Sequence, residues 1–468
     1  MKRNSLWQYM GVSTLCLALL WPAAGLSEPG DTNGAPDLVS IYELALENDP
    51  RIHQARARLD RIREAKPQAR SRLLPTVALA AQLEETWQDG EQIGFDPVTQ
   101  ELGLVDFESN TETSSYGLEI RQTLFRWDAW VGLSEANARI AQAEVEYDGA
   151  LQDLLIRVSR AYFDLLLAEE NLDTRVTTRE SFEVELDRAE YSREVGVASR
   201  TDVEEARAAH DRALADEIAA QRQLEVAREE LYALTGRPIR ELAPLGRDIR
   251  PSPPEPADID VWVERAISHN PELQAARFLV DASGDRVRQA RSGHYPTVDL
   301  VASRRYVDRS GDNPFQNQDT VNDSVSVQLT VPLFAGGATR SQVREARAAE
   351  QEAWSGVELA IREVRRDTRD AFLGIRSGVA QISALDQAVK SSETAVEATE
   401  VGVEVGSRSM VDLLNARREL ANARAQLSEV RYAYLIDSLR LRRAIGQLDA
   451  DYLGELSALF VRDETADE

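Results

Sequence analysis

ARSRLLPTVAL at residues 69–79 and ARSGHYPTVDL at residues 290–300 are one pattern written twice, about 221 residues apart. Each runs Ala-Arg-Ser, three variable positions, then Pro-Thr-Val. After Pro75 the apolar residues Val77, Leu79, Ala81 and Leu83 take every second position, and after Pro296 so do Val298, Leu300 and Ala302. A period of two marks a strand with two unlike faces. Proline is tolerated at the first strand position, where its missing N–H takes little from the ladder. The chain therefore enters a sheet twice, through the same helix-to-strand junction.

The duplication extends in both directions. NDPRIHQAR at 48–56 answers HNPELQAAR at 269–277, and TLFRWDAW at 123–130 answers PLFAGGAT at 332–339. VGVASRTDVEEAR at 195–207 matches VGSRSMVDLLNAR at 405–417, and ALTG at 233–236 echoes RAIG at 443–446. A unit this large is tandem duplication, far beyond solenoid periods. The implied organisation is a signal segment at 1–25, a first repeat at 37–237 and a proline-rich linker at 238–257, then a second repeat at 258–448 and an acidic tail at 449–468. The first copy carries roughly 12 extra residues within 88–114, expected to form a long polar loop facing the exterior.

No proline lies between Pro97 and Pro238 or after Pro332, and both spans are rich in Ala, Glu, Arg, Leu and Gln. Such spans are free to form long helices. Leu133, Ala136, Ile140, Ala143, Tyr147, Ala150 and Leu154 form a heptad stripe, with Leu151, Leu155, Val158, Tyr162 and Leu165 beside it. Two offset stripes give each helix a neighbour on both flanks, as in a curved wall. Val203, Ala206, His210, Ala213, Ala220 and Leu224 recur in register as Leu413, Ala416, Leu420, Ala423, Val430 and Tyr434.

The first residues read as an address. Lys2 and Arg3 precede an apolar run that ends near Trp21, followed by Ala23, Ala24 and Gly25. The run is too short to span a bilayer, so export without a transmembrane helix is expected. Cys16 is the only cysteine and lies in that segment, where it makes a poor lipidation site. A net charge of -26 argues against nucleic acid as a partner. His53, His210, His269 and His294 have no metal-ligand spacing, and no phosphate loop or nucleophile elbow is present, so neither an enzyme nor a cofactor is expected.

Each half holds two alternating segments of roughly 10 residues, such as SYGLEIRQTLF at 115–125 and SVSVQLTVPLF at 324–334. That is the length of a tilted membrane strand, apolar toward lipid and polar toward water. Four strands cannot close alone, and open edges are not viable in lipid. The sheet must be shared between copies. Phe125, Trp127, Trp130 and Phe334 cluster where strands return to helices, as in an interfacial aromatic belt.

Taken in order and in double occurrence, NDP at Asn48, QARSGHYPTVDLVAS at Gln289, VPLFAGGATRSQV at Val331, EVGVASRTDVEEARA at Glu194 and LYALTG at Leu231 resemble the TolC family of outer-membrane channels. The resemblance covers nearly the whole chain after the signal segment. It implies a mainly α fold with membrane β: a tandem-repeat protomer of long coiled-coil helices plus four strands. Three copies would form a 12-stranded outer-membrane β-barrel continuous with a periplasmic α-barrel. It implies the exit duct of a type I secretion or multidrug efflux system in a Gram-negative outer membrane. The partners would be outer-membrane lipid, a periplasmic adaptor (membrane fusion protein) and an inner-membrane ABC or proton-driven transporter.

By the same resemblance Asp412 lines the pore constriction, where it could bind a cation, with Asn415 one turn on. Arg408 latches to Thr201 and Asp202, and the turns Val195-Gly196 and Val405-Gly406 meet the adaptor. Two departures stand out: Asn415 replaces a second constriction acid, and Val403 stands where the family has a latching tyrosine. Read without the resemblance, Thr201, Asp202, Ser409 and Asp412 are helix-start polar residues. The competing functional class is a periplasmic coiled-coil scaffold or adaptor without a pore. Such a protein would usually carry one hairpin between small β modules rather than two copies with membrane-length strands.

Overall fold

The computed structural model describes residues 35–95, 101–244, 251–312 and 317–457. The chain divides into Met1–Ala35 and Pro36–Glu468, and all the elements below belong to the second unit. The expected signal segment lies outside the described residues. The first repeat runs α1 (Leu38–Asn48), α2 (Pro50–Arg63), α3 (Ala65–Ser71), β1 (Thr76–Phe95), β2 (Leu102–Phe125), α4 (Trp127–Glu194) and α5 (Arg200–Thr235). The second runs α6 (Ile259–His269), α7 (Pro271–Arg291), a 3-10 turn (Ser292–His294), β3 (Thr297–Gly311), β4 (Gln318–Thr330), α8 (Ala338–Glu404) and α9 (Met410–Ala444). A last helix, α10, covers Ala450–Ser457.

The repeated Asn-Pro and Asp-Pro phrases are helix breaks. Asp49 and Asn270 each end one helix and cap the next, accepting from Arg51 N–H and Leu273 N–H, with proline at the first helical position. Pro75 and Pro296 each stand immediately before a strand, as their N–H deficit requires. The proline-free spans become α4, 68 residues, and α8, 67 residues. At about 1.5 Å per residue each is roughly 100 Å long.

The four strands form one antiparallel sheet in the order β1-β2-β3-β4. One face pairs apolar residues: Val77 with Ile120, Leu79 with Leu118, Leu300 with Val327 and Val298 with Leu329. The other face carries Thr297 opposite Thr330, Asp299 opposite Gln328 and Ser303 opposite Ser324. The apolar face is bare in the protomer, with Leu79 76%, Leu83 75% and Val325 76% exposed. Among the described residues, β1 and β4 each keep one edge without a strand partner.

Two expectations need correction. The strands are longer than roughly 10 residues, at 20, 24, 15 and 13. The segment 88–114 is not a loop either. Its described residues extend the β1–β2 ladder without a break from Thr76↔Arg121 to Phe95↔Leu102. Acids interrupt the face that was apolar lower down, with Glu85 opposite Glu112, Asp89 opposite Glu108 and Glu91 opposite Asp106, before Ile93 pairs Leu104. The acids break the alternation in hydropathy while the backbone keeps its period of two.

The tail expected from 449 onward starts as structure. Leu453 is fully buried in α10 and Leu456 nearly so, in one apolar cluster with Leu38, Ile41 and Ala45 of α1. The Ser457 hydroxyl donates to the Asp37 carboxylate at 3.1 Å. Leu453→Ala should destabilise the fold by about 3 kcal/mol, the usual cost of such a cavity. An unchanged melting temperature would show that α10 is not docked in solution.

Two clusters hold the helices together. The first joins Leu154, Val158, Tyr162 and Leu165 of α4 to Leu231 of α5 and Leu439 of α9. The second joins Trp262, Leu273, Phe372, Ile375, Leu441 and Ile445. Two tyrosines hold described residues of the linker. Tyr162 Oη donates to Ala243 O at 2.7 Å, and Tyr434 Oη donates to Ser252 O at 3.2 Å. Desolvation in this core pushes the phenols of Tyr162 and Tyr432 far up, so both stay protonated donors.

Candidate functional site

The two helix hairpins, α4–α5 and α8–α9, end in turns built alike. Val195 and Val405 close the descending helices. Gly196 follows at φ +79° and Gly406 at φ +75°, a region where a side chain would be strained. Val197 N–H and Ser407 N–H then donate back to Ser192 O and Gly402 O, both at 2.8 Å. This satisfies carbonyls that the helix ends would leave open. Val195, Val197 and Val405 are 57%, 82% and 71% exposed, so each turn presents valine to its surroundings.

Each ascending helix starts with a reciprocal cap. Ser199 Oγ accepts from Asp202 N–H at 3.2 Å while Asp202 Oδ2 accepts from Ser199 N–H at 2.8 Å. Ser409 and Asp412 repeat this at 3.2 and 3.0 Å, and the Ser409 hydroxyl also donates to Asp412 Oδ2 at 2.8 Å. Bonds from the Ser409 N–H, then from its hydroxyl, hold the Asp412 carboxyl below the ordinary aspartate value. The nearby Arg408 guanidinium adds to this and slight desolvation opposes it. Capping therefore belongs to Ser199 and Ser409 with their aspartates. Thr201 is an exposed residue of the first turn.

Asp412 and Asn415 are both exposed at the start of α9, three residues apart and so on one face. Arg408 is exposed as well, and its stem lies over Gly402, where a Cβ would sit 2.6 Å from Arg408 Cγ. Among the described residues of one protomer, Arg408 makes no ion pair or hydrogen bond to Thr201 or Asp202. The turn thus assembles Arg408, Ser409, Asp412 and Asn415, and it leaves Thr201 and Asp202 on the other hairpin.

Sequence reading missed a junction higher up. Glu185 of α4 is 1% exposed. Arg417 of α9 places Nη2 3.4 Å from Glu185 Oε1 and 3.4 Å from Glu400 Oε1 of α8. Beside it, Phe182 packs with Ala209, Ala213 and Leu414. The available signal was a glutamate on the apolar stripe between Phe182 and Ala189.

No described helix is long and apolar enough to cross a membrane, and no described group of His, Cys, Asp or Glu could hold a metal ion. The sheet presents an apolar face, a polar face and, among the described residues, an edge without a strand partner on each of β1 and β4. The model of the outer membrane efflux protein family matches residues 41–237 and 262–447, one segment for each repeat.

The chain belongs to that family.

It is 33% identical to the outer membrane protein TolC of Vibrio cholerae over 94% of this chain and 97% of that one. It is 33% identical to the alkaline protease secretion protein AprF of Pseudomonas aeruginosa over 92% of this chain and 88% of the relative. The crystal structure of the outer membrane protein VceC from Vibrio cholerae superposes with a TM-score of 0.73 at 21% identity. That match covers 87% of this chain and 96% of the other and establishes the shared fold. The protein is an outer-membrane efflux or secretion channel with a large periplasmic part. Its family consists of channels, not enzymes. Family membership replaces the reading as a scaffold without a pore.

Proposed function

We propose that three copies share one 12-stranded barrel and that the joined helices form the duct through which an inner-membrane pump, coupled by a periplasmic adaptor, empties to the exterior. The observation that carries this is the four-stranded sheet, apolar on one face and open at both edges. In lipid each unpaired backbone group costs several kcal/mol, so edges must find partners. β4 of one copy pairing β1 of the next closes the sheet, and three copies close it with twelve strands. The valine-tipped turns at Val195-Gly196 and Val405-Gly406 are the surface for the adaptor. Asp412 and Asn415 line the narrowest point, with Arg408 of one copy latching onto Thr201 and Asp202 of the next. The name of the Pseudomonas relative favours a protein cargo in type I secretion.

Purified protein in mild detergent should run at trimer mass and, in planar bilayers, conduct in single steps. A folded monomer with full strand content by circular dichroism, or a trimer without conductance, would refute the shared barrel.

A further inference from the structure

The junction between sheet and helices carries a charge pattern that transport does not explain. The chain as a whole is strongly acidic, at -26. Yet Arg291 at the end of α7 and Arg340, Arg344 and Arg347 at the start of α8 are all exposed. None has an ion pair or side-chain hydrogen bond among the described residues. Residues 340, 344 and 347 follow the i, i+4, i+7 spacing of one helix face.

Their side of the wall can be fixed. A cavity of about 630 Å³ is lined by Arg286 and Gln289 of α7, Gln342 and Glu345 of α8, and Thr297 and Thr330. Those two threonines belong to the polar face of the sheet. On α8 Ala346 and Ala349 line it as well, so its four α8 residues fall within about 100° of one another, as do Arg286, Gln289 and Ala290 on α7. At about 100° per residue, Arg340, Arg344 and Arg347 lie roughly 150–170° from the middle of the α8 group and Arg291 about 150° from that of α7, so the arginines point away from the polar side. A second cavity, about 770 Å³, includes Arg291 with Glu350 and Trp354. The collar therefore stands on the side of the sheet's apolar face.

Its depth is also defined. The apolar band ends at Leu329, Val331 and Leu333, and Phe334 follows at 89% exposed. Arg340 to Arg347 then spans roughly 10 Å of helix. Headgroup layers extend roughly 5–7 Å beyond the hydrocarbon on each side, and arginine side chains reach further along it. We infer that Arg291, Arg340, Arg344 and Arg347 form a cationic collar that binds phosphate headgroups of anionic phospholipids in the leaflet next to the helices. The occupant is a lipid because the collar continues an apolar, aromatic-edged band and no described carboxylate forms an ion pair with it, Glu350 only sharing a cavity with Arg291. This rests on the outer-membrane barrel proposed above.

The test is lipid retention by the full-length protein, taken from bilayers of phosphatidylethanolamine with and without phosphatidylglycerol and weighed by native mass spectrometry. The parent should carry phosphatidylglycerol in preference to phosphatidylethanolamine. Because each basic residue near an anionic surface contributes about 1 kcal/mol, changing all four to Gln should lower that preference about tenfold or more. Among the described residues these side chains make no ion pair or hydrogen bond, so the fold does not depend on them. The variant Arg362→Gln, Arg365→Gln removes charge lower on α8 and should keep the preference. Equal preference in the parent and the fourfold variant, or equal loss in the lower variant, would overturn the collar. A parent that enters neither bilayer would overturn the barrel beneath it.

Discussion

Asp412→Asn should weaken block of single-channel current by divalent and trivalent cations roughly tenfold, with the blocker added from the periplasmic side. On the proposed trimer, three Asp412 carboxylates converge near one axis, and Asn415 leaves them without a second ring of acids. In the protomer the carboxylate is exposed at the start of α9, held ionised by the Ser409 bonds and Arg408. Convergence of three charges pushes the opposite way, and a bound cation relieves it. The competing account makes Asp412 only half of a reciprocal cap. Ser409→Ala separates the two. It removes the cap hydroxyl, worth about 1 kcal/mol, and keeps the carboxylate. On the pore reading it melts earlier and blocks normally. If Asp412→Asn blocks like the parent, or Ser409→Ala loses block as fully, the constriction is elsewhere.

What the sequence disclosed depended on whether a period survived. The heptad stripes of α4 and α9 and the alternation after Pro75 and Pro296 were legible because each puts apolar residues on one face. The upper β1–β2 ladder was not, because Glu85, Asp89, Glu91, Asp106, Glu108 and Glu112 interrupt the apolar set. α10 was hidden in the same way, its buried Leu453 and Leu456 lying among acids. At the turns, the glycines and Asp412 were readable from the repeat. The serines as caps were only half readable: Ser409 stood out, whereas in the first copy the pattern pointed to Thr201 rather than to Ser199. The Glu185–Arg417 contact joins residues far apart in the chain, and no local pattern announces the partner.

The repeat does show why that contact matters. Arg207 and Arg417 are counterparts in the two copies, as are Glu190 and Glu400. Arg207 bonds Glu190 at 2.7 Å, inside its own hairpin. Arg417 reaches Glu400 inside its hairpin and also crosses to buried Glu185 on the other. The second copy has turned an internal brace into a clasp. Higher up, α4 and α9 are also tied by Tyr432 Oη to Glu170 at 2.8 Å and by Arg443 to Asp153 at 2.6 Å. From the clasp to the turns, no further ion pair joins the two hairpins among the described residues.

Arg417→Ala should therefore free the lower α8–α9 hairpin. Glu185 would keep only Arg188, at 3.4 Å on its own helix. Leaving a buried carboxylate poorly paired costs about 3 kcal/mol, enough to lower the melting temperature by about 5 °C. A bare loss of stability would not show a clasp, so the decisive readout is geometric. Spin labels at Val197 and Ser407, with Cys16 replaced, report the separation of the two turns. Arg417→Ala should broaden that distance distribution and raise single-channel conductance. Arg207→Ala, which breaks the equivalent brace inside one hairpin, should leave both nearly unchanged. Glu185→Gln tests the other end, since a neutral amide can still accept from Arg417 and should keep the turns close. Matching distributions for Arg417→Ala and Arg207→Ala would mean that packing of Phe182 against Leu414, rather than the ion pair, fixes the hairpins.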